Sequence, residues 1–198
     1  CLSEDTVVVR RIDPPSTSVA GADQSICVDV VTLGATAPAI GTGSWNLVSG
    51  AGTITDASSE TTTVNGLAIG ANVFQWTVNN GVCPASTDQV TITRSAEPSL
   101  AEAGSNQTVC LSTASMGAST LIVGTGQWTL ISGTGTFEDD TDPFTQITGL
   151  SLGTNVFEWT VTNGSCAAST DQVEIVRNEL PSQATVGPDQ VICATTAN

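Results

Sequence analysis

The chain has 198 residues and is strongly acidic, with 4 basic residues against 19 acidic ones and a formal net charge of −15. A field of that sign repels phosphates, which disfavours nucleic acids and anionic membrane surfaces as partners. The chain contains no histidine. This excludes a Ser-His-Asp or Cys-His site, and we predict a protein that is not an enzyme, with no catalytic residue and no cofactor.

Gly, Ser and Thr are abundant and lysine is absent, which favours strands and turns over helices. No apolar stretch reaches the ~18 residues that a membrane helix needs, so no direct membrane insertion is expected. The chain opens on Cys1 without a leader, and we interpret it as a processed product or a window of a longer chain. The composition predicts an all-β protein.

The sequence repeats itself. Residues 41–50 recur as 124–133, an offset of 83 positions, and residues 72–78 recur as 155–161 at the same offset. A fixed period of this kind is the signature of a repeat architecture.

The period predicts four parts. Residues 12–94 and 95–177 are two full repeats, residues 1–11 align with the last strand of a preceding repeat, and residues 178–198 open a following one. We therefore expect a segment of a serial array.

Short strands separated by turns are predicted within each repeat. The first repeat has early candidates at 28–33, 53–56 and 61–65. Residues 72–78 then alternate in polarity, and the following Asn80-Gly81 accepts positive φ in a type I′ hairpin, with 87–94 as the partner strand. About seven strands fit a sandwich of immunoglobulin-like size, so we predict tandem β-sandwiches arranged end to end.

Two tryptophans recur in each repeat, Trp45 and Trp76 in the first, Trp128 and Trp159 in the second. On apolar strand faces each would bury about 200 Å², and we assign all four to the core. The alternative is an exposed platform on which sugars stack.

The six cysteines recur near the repeat period, without histidine or a C-x₂-C spacing, so disulfides in an oxidising compartment are favoured over zinc. Two regular connectivities are open. Pairing within each repeat gives Cys27–Cys83 and Cys110–Cys166. Pairing between repeats gives Cys1–Cys27, Cys83–Cys110 and Cys166–Cys193.

Chain geometry favours bonds within a repeat. The strand after Cys83 carries the chain about 26 Å away before the next repeat begins, whereas bridged Cα atoms lie within about 7 Å. A cysteine in the first strand of the same repeat is then nearer. We expect Cys27–Cys83 and Cys110–Cys166, each worth about 4 kcal/mol on the chain-entropy model.

An acidic cluster is the one candidate metal site: Glu138, Asp139, Asp140 and Asp142. Crowded carboxylates suit calcium. The first repeat has residues 56–60 at this place and lacks the cluster, so we favour a solvated acidic loop, with calcium as the alternative.

The segments at 20–27, 43–45 and 70–83 together resemble a known repeat type. They are similar to the PKD-like, immunoglobulin-like repeats strung along very large surface proteins of Bacteroidetes, including gliding-motility adhesins. The resemblance implies a β-sandwich exported to the bacterial cell surface through type IX secretion.

We therefore expect a structural stalk or filament segment that spaces a distal binding region of an adhesin from the cell. Its partners would be neighbouring repeats of the same chain, with lateral copies or surface glycans and proteins as further candidates. The prolines at 14–15 limit bending between copies. The alternatives are a glycan- or protein-binding module and an accessory domain of a secreted hydrolase.

Overall fold

The computed structural model describes residues 4–191 and 193. Its regular structure consists of fourteen β-strands, and the described residues include no helix. None of them could therefore cross a membrane as a helix. The all-β prediction is confirmed.

The strands fall into two groups of the same order along the chain. The first group is β1 Gln24–Ile26, β2 Val30–Gly34, β3 Thr42–Ser49, β4 Thr53–Ile54, β5 Thr61–Asn65, β6 Gly70–Asn79 and β7 Ser86–Arg94. The second group is β8 Gln107–Val109, β9 Thr113–Ser115, β10 Thr125–Ser132, β11 Thr136–Phe137, β12 Gln146–Thr148, β13 Gly153–Thr162 and β14 Ser169–Arg177.

Each group builds two sheets. In the first, β1-β7-β6-β3 form a four-stranded sheet and β2-β5-β4 a three-stranded one; the second repeats this order as β8-β14-β13-β10 and β9-β12-β11. Two of the pairings, β1 with β7 and β8 with β14, are parallel. These are two immunoglobulin-like sandwiches in tandem, as predicted, and we call them the first and second sandwich.

The four tryptophans lie inside the two cores, at most 3% exposed. Trp45 faces Trp76 directly across β3 and β6, with ring centroids 5.1 Å apart. Trp128 and Trp159 repeat the arrangement at 5.0 Å. Alternate residues of a strand share a face, and these pairs place the largest side chains at the centre of each core.

A glycine makes room for one ring of each pair. A Cβ atom on Gly43 would fall inside the Trp76 ring, and one on Gly126 inside the Trp159 ring. The Gly-x-Trp spacing in both repeats therefore has a packing reason: the glycine lets the partner indole lie flat on the strand.

Each sandwich also buries one asparagine completely, Asn72 in the first and Asn155 in the second. Asn72 Oδ1 accepts hydrogen bonds from the backbone N–H groups of Ala51 (2.9 Å) and Ala68 (3.2 Å). Its Nδ2 donates to the Ala68 and Ile92 carbonyls, at 2.9 and 3.2 Å. The asparagine satisfies backbone groups of loops that have no strand partner.

The turn between β6 and β7 differs from the predicted type I′ hairpin. Cys83 N–H donates to the Asn80 carbonyl (3.2 Å), so Gly81 and Val82 are the central residues. Gly81 has φ +58°, and no described residue other than glycine has positive φ. A type I′ turn needs two central residues with positive φ, whereas glycine at the first central position is typical of type II′.

Residues 4–11, aligned with the last strand of a preceding repeat, form no strand, and neither do residues 178–191. A β-strand needs a neighbour for its backbone hydrogen bonds, and among the described residues neither segment forms a strand ladder, although Asn178 N–H donates to the Val109 carbonyl at 2.8 Å.

Candidate functional site: a disulfide-bridged junction

The chain leaves the first sandwich next to the end of its first strand. Because β1 runs parallel to β7, Ile26 lies opposite Arg94. The next residue continues the pairing, since Ser95 N–H donates to the Ile26 carbonyl at 2.9 Å. Cys27 therefore lies at the pole from which the linker departs.

The linker then runs along a turn of the second sandwich, the one between β13 and β14. Asn163 Nδ2 donates to the Ala96 carbonyl at 2.7 Å. Gly164 lies so close to Ser95 that a Cβ atom would collide with it. Cys166 Sγ lies 3.1 Å from the Ala96 carbonyl oxygen.

Cys27 and Cys166 meet across this linker and form a disulfide. Their Cα atoms are 4.9 Å apart although the residues are 139 positions apart in sequence. The bond joins the first strand of one sandwich to the last turn of the next. The junction thus has two covalent connections, the backbone and the disulfide.

This bond replaces the pairing predicted within repeats, Cys27–Cys83 and Cys110–Cys166. The reason is the parallel first strand: Cys27 follows the end of β1, beside the end of β7, while Cys83 precedes the start of β7. The nine residues of β7 separate these poles by about 30 Å.

The alternative series fails as well, because Cys27 and Cys166 are already bonded to each other. Cys83 lies at the outer pole of the first sandwich and Cys110 follows β8 at the outer pole of the second. Cys83, Cys110 and Cys193 are the unpaired cysteines of the described part of the chain, and Cys1 lies outside it.

Asn80, which the sequence places in a hairpin turn, and its counterpart Asn163 each bind the linker that precedes their own sandwich. Asn80 Nδ2 donates to the Asp13 carbonyl at 2.8 Å, as Asn163 Nδ2 does to Ala96. The recurring Asn-Gly-x-Cys spacing was the available signal. The spacing does not show where the preceding linker runs, and the contact between the asparagine and the linker depends on that path.

An open cleft of about 540 Å³ lies beside the disulfide. Its lining is mainly apolar, with Val28, Pro98 and Leu100 next to the two bonded cysteines. Glu97 is the one ionisable group on its walls, so the cleft holds no acid-base pair.

The carboxylates of the acidic cluster accept hydrogen bonds within their own loop in the described structure. Asp139 Oδ1 accepts from the N–H (2.9 Å) and hydroxyl (2.7 Å) of Thr141, and these bonds lower the pKa of Asp139. Asp142 Oδ1 accepts a backbone N–H within the same loop. Glu138 and Asp140 complete no ligand set with them: no group of three or more possible ligands is found among the described residues.

The strand order and the sheet pairs define the fold: two immunoglobulin-like β-sandwiches in tandem. No protein-family model and no curated protein matches the sequence. Solved structures do. Sidekick-1 immunoglobulin domains 1–5 match with TM-score 0.55 and 11% identity over 85% of this chain and 40% of that one.

A second Sidekick-1 structure, of immunoglobulin domains 1–4, matches with TM-score 0.55 and 12% identity over 87% of this chain and 51% of that one. The PKD domain of human KIAA0319 matches at 23% identity over 52% of this chain and 99% of that one, with TM-score 0.38. The chain spans about half the length of the Sidekick-1 chains. These likenesses concern the fold.

Proposed function

We propose that this chain is a spacer segment in the stalk of a large extracellular adhesin, of the Bacteroidetes gliding-motility type exported by type IX secretion. Residues 12–94 and 95–177 are consecutive copies in the stalk, and residues 1–11 and 178–198 belong to their neighbours. The segment holds a distal binding region away from the cell surface and carries no chemistry of its own.

The Cys27–Cys166 bond carries the proposal. A stalk must keep a defined angle between copies, and a peptide linker alone allows rotation about its φ and ψ angles. A second covalent connection next to the linker removes most of that freedom. A disulfide between domains also requires an oxidising compartment, which supports an extracellular location.

Linker composition and charge support the same function. Pro98 follows the bridged linker, and Pro14 and Pro15 occupy the corresponding place before the first sandwich. Proline fixes φ and stiffens a connection. The net charge of −15 would keep neighbouring stalks apart in solution.

Small-angle X-ray scattering of the chain tests the proposal. We expect the oxidised chain to scatter as one elongated body with a fixed angle between sandwiches. The double variant Cys27→Ser/Cys166→Ser should have a broader distribution of maximum dimensions, with unchanged β-sheet circular dichroism, because only the junction is released.

The matched control is Cys83→Ser/Cys110→Ser, which removes one unpaired cysteine from each sandwich and should leave the scattering unchanged. Identical scattering from the oxidised chain and the Cys27→Ser/Cys166→Ser variant would contradict the spacer function, since the disulfide would then contribute nothing to the shape.

A further inference from the structure

The outer pole of the first sandwich has the same contacts that surround Cys166 at the bridged junction. Cys83 Sγ lies 3.6 Å from the Asp13 carbonyl oxygen, and Asn80 Nδ2 donates to the same oxygen at 2.8 Å. Cys166 and Asn163 make the same two contacts with Ala96, at 3.1 and 2.7 Å. Cys83 therefore occupies the place of a bonded cysteine that lacks its partner.

The outer pole of the second sandwich has the same contact that lies next to Cys27 at the bridged junction. Cys110 directly follows Val109, and Asn178 N–H donates to the Val109 carbonyl at 2.8 Å. The Ser95 N–H bond to Ile26, next to Cys27, is the same contact at 2.9 Å. Cys110 is exposed and unpaired.

We propose that the observed bond is one member of an overlapping series, in which the first-strand cysteine of each copy is bonded to the turn cysteine of the next. Cys110 forms a disulfide with the turn cysteine of a following copy, and Cys83 forms one with the first-strand cysteine of a preceding copy. The partner of each is another copy of this repeat. The inference rests on the proposed serial array.

Cys83 and Cys110 cannot be bonded to each other. They lie at opposite outer poles, separated by the length of two sandwiches, whereas bridged Cα atoms lie within about 7 Å. Both surroundings are already formed before a partner arrives, since the linker contacts of Cys83 and Cys110 match those around the Cys27–Cys166 bond.

Bond formation needs a disulfide oxidant, which we specify as a thiol–disulfide exchange protein or oxidised glutathione. The Cys110 thiolate attacks the oxidant's disulfide, forming a mixed disulfide and releasing one oxidant thiolate. The turn-cysteine thiolate then attacks Cys110 Sγ and releases the second. Two protein thiols lose two protons and two electrons, and the oxidant is reduced to two thiols.

A lengthened chain tests the series directly. Residues 95–177 are inserted a second time after Arg177, which reproduces the natural spacing between copies. After oxidation with glutathione, non-reducing peptide mapping should find Cys27–Cys166 as before and, in addition, Cys110 of the original copy bonded to Cys166 of the inserted copy.

Cys110→Ser in the original copy is the matched variant. It should return the inserted copy's Cys166 as a free thiol and leave the Cys27–Cys166 bond in place. A bond within one copy between Cys110 and Cys166, or an original Cys110 that stays reduced, would overturn the proposal.

A second experiment keeps the original length. In a Cys1→Ser/Cys193→Ser background, the further variants Cys83→Ser and Cys110→Ser should each remain monomeric when oxidised alone. Mixed together, they should form a dimer joined by Cys110 of one and Cys83 of the other. Equal dimer formation by either variant alone would refute complementary pairing.

Failure of the series and failure of the spacer function are distinguishable. If Cys110 stays reduced while the original chain scatters as a rigid body, the disulfide series is wrong and the spacer function stands. If the original chain is flexible while the Cys110 bond is found by mapping, the spacer function is wrong and the disulfide series stands.

Discussion

At the residue scale, one fully buried asparagine in each sandwich connects loops to strands. Asn155 is fully buried, and its Oδ1 accepts from Thr134 N–H (2.9 Å) while its Nδ2 donates to the Ser151 (3.0 Å) and Ile175 (3.3 Å) carbonyls. Asn72 has the equivalent position in the first sandwich. A buried amide with its partners in place ties loops to strands at little cost, whereas removing it leaves several backbone groups unpaired.

Replacing this amide should therefore lower the stability of the sandwich. We expect Asn72→Ala to lower the free energy of unfolding of the first sandwich by about 3 kcal/mol, because the freed N–H and C=O groups lose their partners. Urea denaturation followed by tryptophan fluorescence measures the change. Asn46→Ala, at an exposed position of β3, is the control and should stay within about 0.5 kcal/mol of wild type.

The close approach of glycine and indole yields a second prediction. Gly43→Ala forces a methyl group into the Trp76 ring, and we expect a loss of about 2 kcal/mol of stability through overpacking. Gly34→Ala is matched, since it is also a strand glycine but a Cβ there meets nothing within 4 Å. Thermal unfolding of both variants measures the difference. Equal melting temperatures would contradict the prediction, because the core would then adapt to the added methyl group.

The acidic loop predicts a pH effect of definite sign. Hydrogen bonds from Thr141 lower the pKa of Asp139 below its ordinary value of 3.8 in the folded state. The bonded carboxylate therefore contributes stability above this ordinary pKa, which the unfolded chain retains, and the contribution disappears as the pH falls through the lower pKa of the folded state.

We expect the melting temperature of wild type to exceed that of Asp139→Asn at neutral pH, and the difference to shrink below pH ~4. Thr141→Val, which removes one of the two donors, should reduce the same difference. A difference that is constant from neutral to acid pH would contradict this role for Asp139.

At the element scale, the parallel first strand decides which cysteines meet. A first strand antiparallel to the last would end at the opposite pole. In the structure, Ile26 lies opposite Arg94, so Cys27 is delivered to the junction with the second sandwich. One strand direction thus converts a bond expected within a sandwich into a bond between sandwiches.

The bond should couple the unfolding of the two sandwiches. It closes a loop of 139 residues, for which the chain-entropy model gives about 5 kcal/mol. We expect Cys27→Ser/Cys166→Ser to unfold at lower denaturant concentration and the two sandwiches to separate into independent transitions. Calorimetry measures both, with Cys83→Ser/Cys110→Ser as the control. Indistinguishable thermograms would contradict the coupling.

Strand positions were largely predictable, and turn geometry was not. Residues 61–65 and 87–94 were assigned to strands that the structure has as Thr61–Asn65 and Ser86–Arg94. Polarity alternates along such segments because one face is buried, and a sequence records that alternation directly. The Asn80-Gly81 turn was misassigned because the dipeptide is compatible with several loop lengths, and packing against the linker selects one of them.

At the scale of the whole molecule, the disulfide changes the path of tension. Force applied at the two ends passes along the chain to Cys27, crosses the bond to Cys166 and continues to the end. Residues 28–165 are bypassed and carry no load. The strands from β2 to β13 therefore cannot be extended while the bond is intact, whereas β1 and β14 lie on the loaded segments.

Single-molecule force spectroscopy should reveal the bypass. Pulled from its ends, the oxidised chain should lengthen only through residues 1–27 and 166–198. Reduction should release the 139-residue loop, adding up to about 480 Å of contour length at ~3.5 Å per residue. Equal contour lengths with and without reductant would contradict the bypass, and Cys27→Ser should behave as the reduced chain does under either condition.

The sequence by itself determined the all-β class, the period of 83 residues and the tryptophan pairs, because alternation, repetition and glycine spacing are local or periodic properties of the chain. Only the tertiary structure decided the partner of Cys27. That choice depends on the relative direction of β1 and β7 and on the path of residues 95–97 past the Asn163 turn. Neither the strand direction nor the linker path produces a periodic pattern in the sequence. The same cysteine spacing is compatible with bonds within a sandwich and between sandwiches.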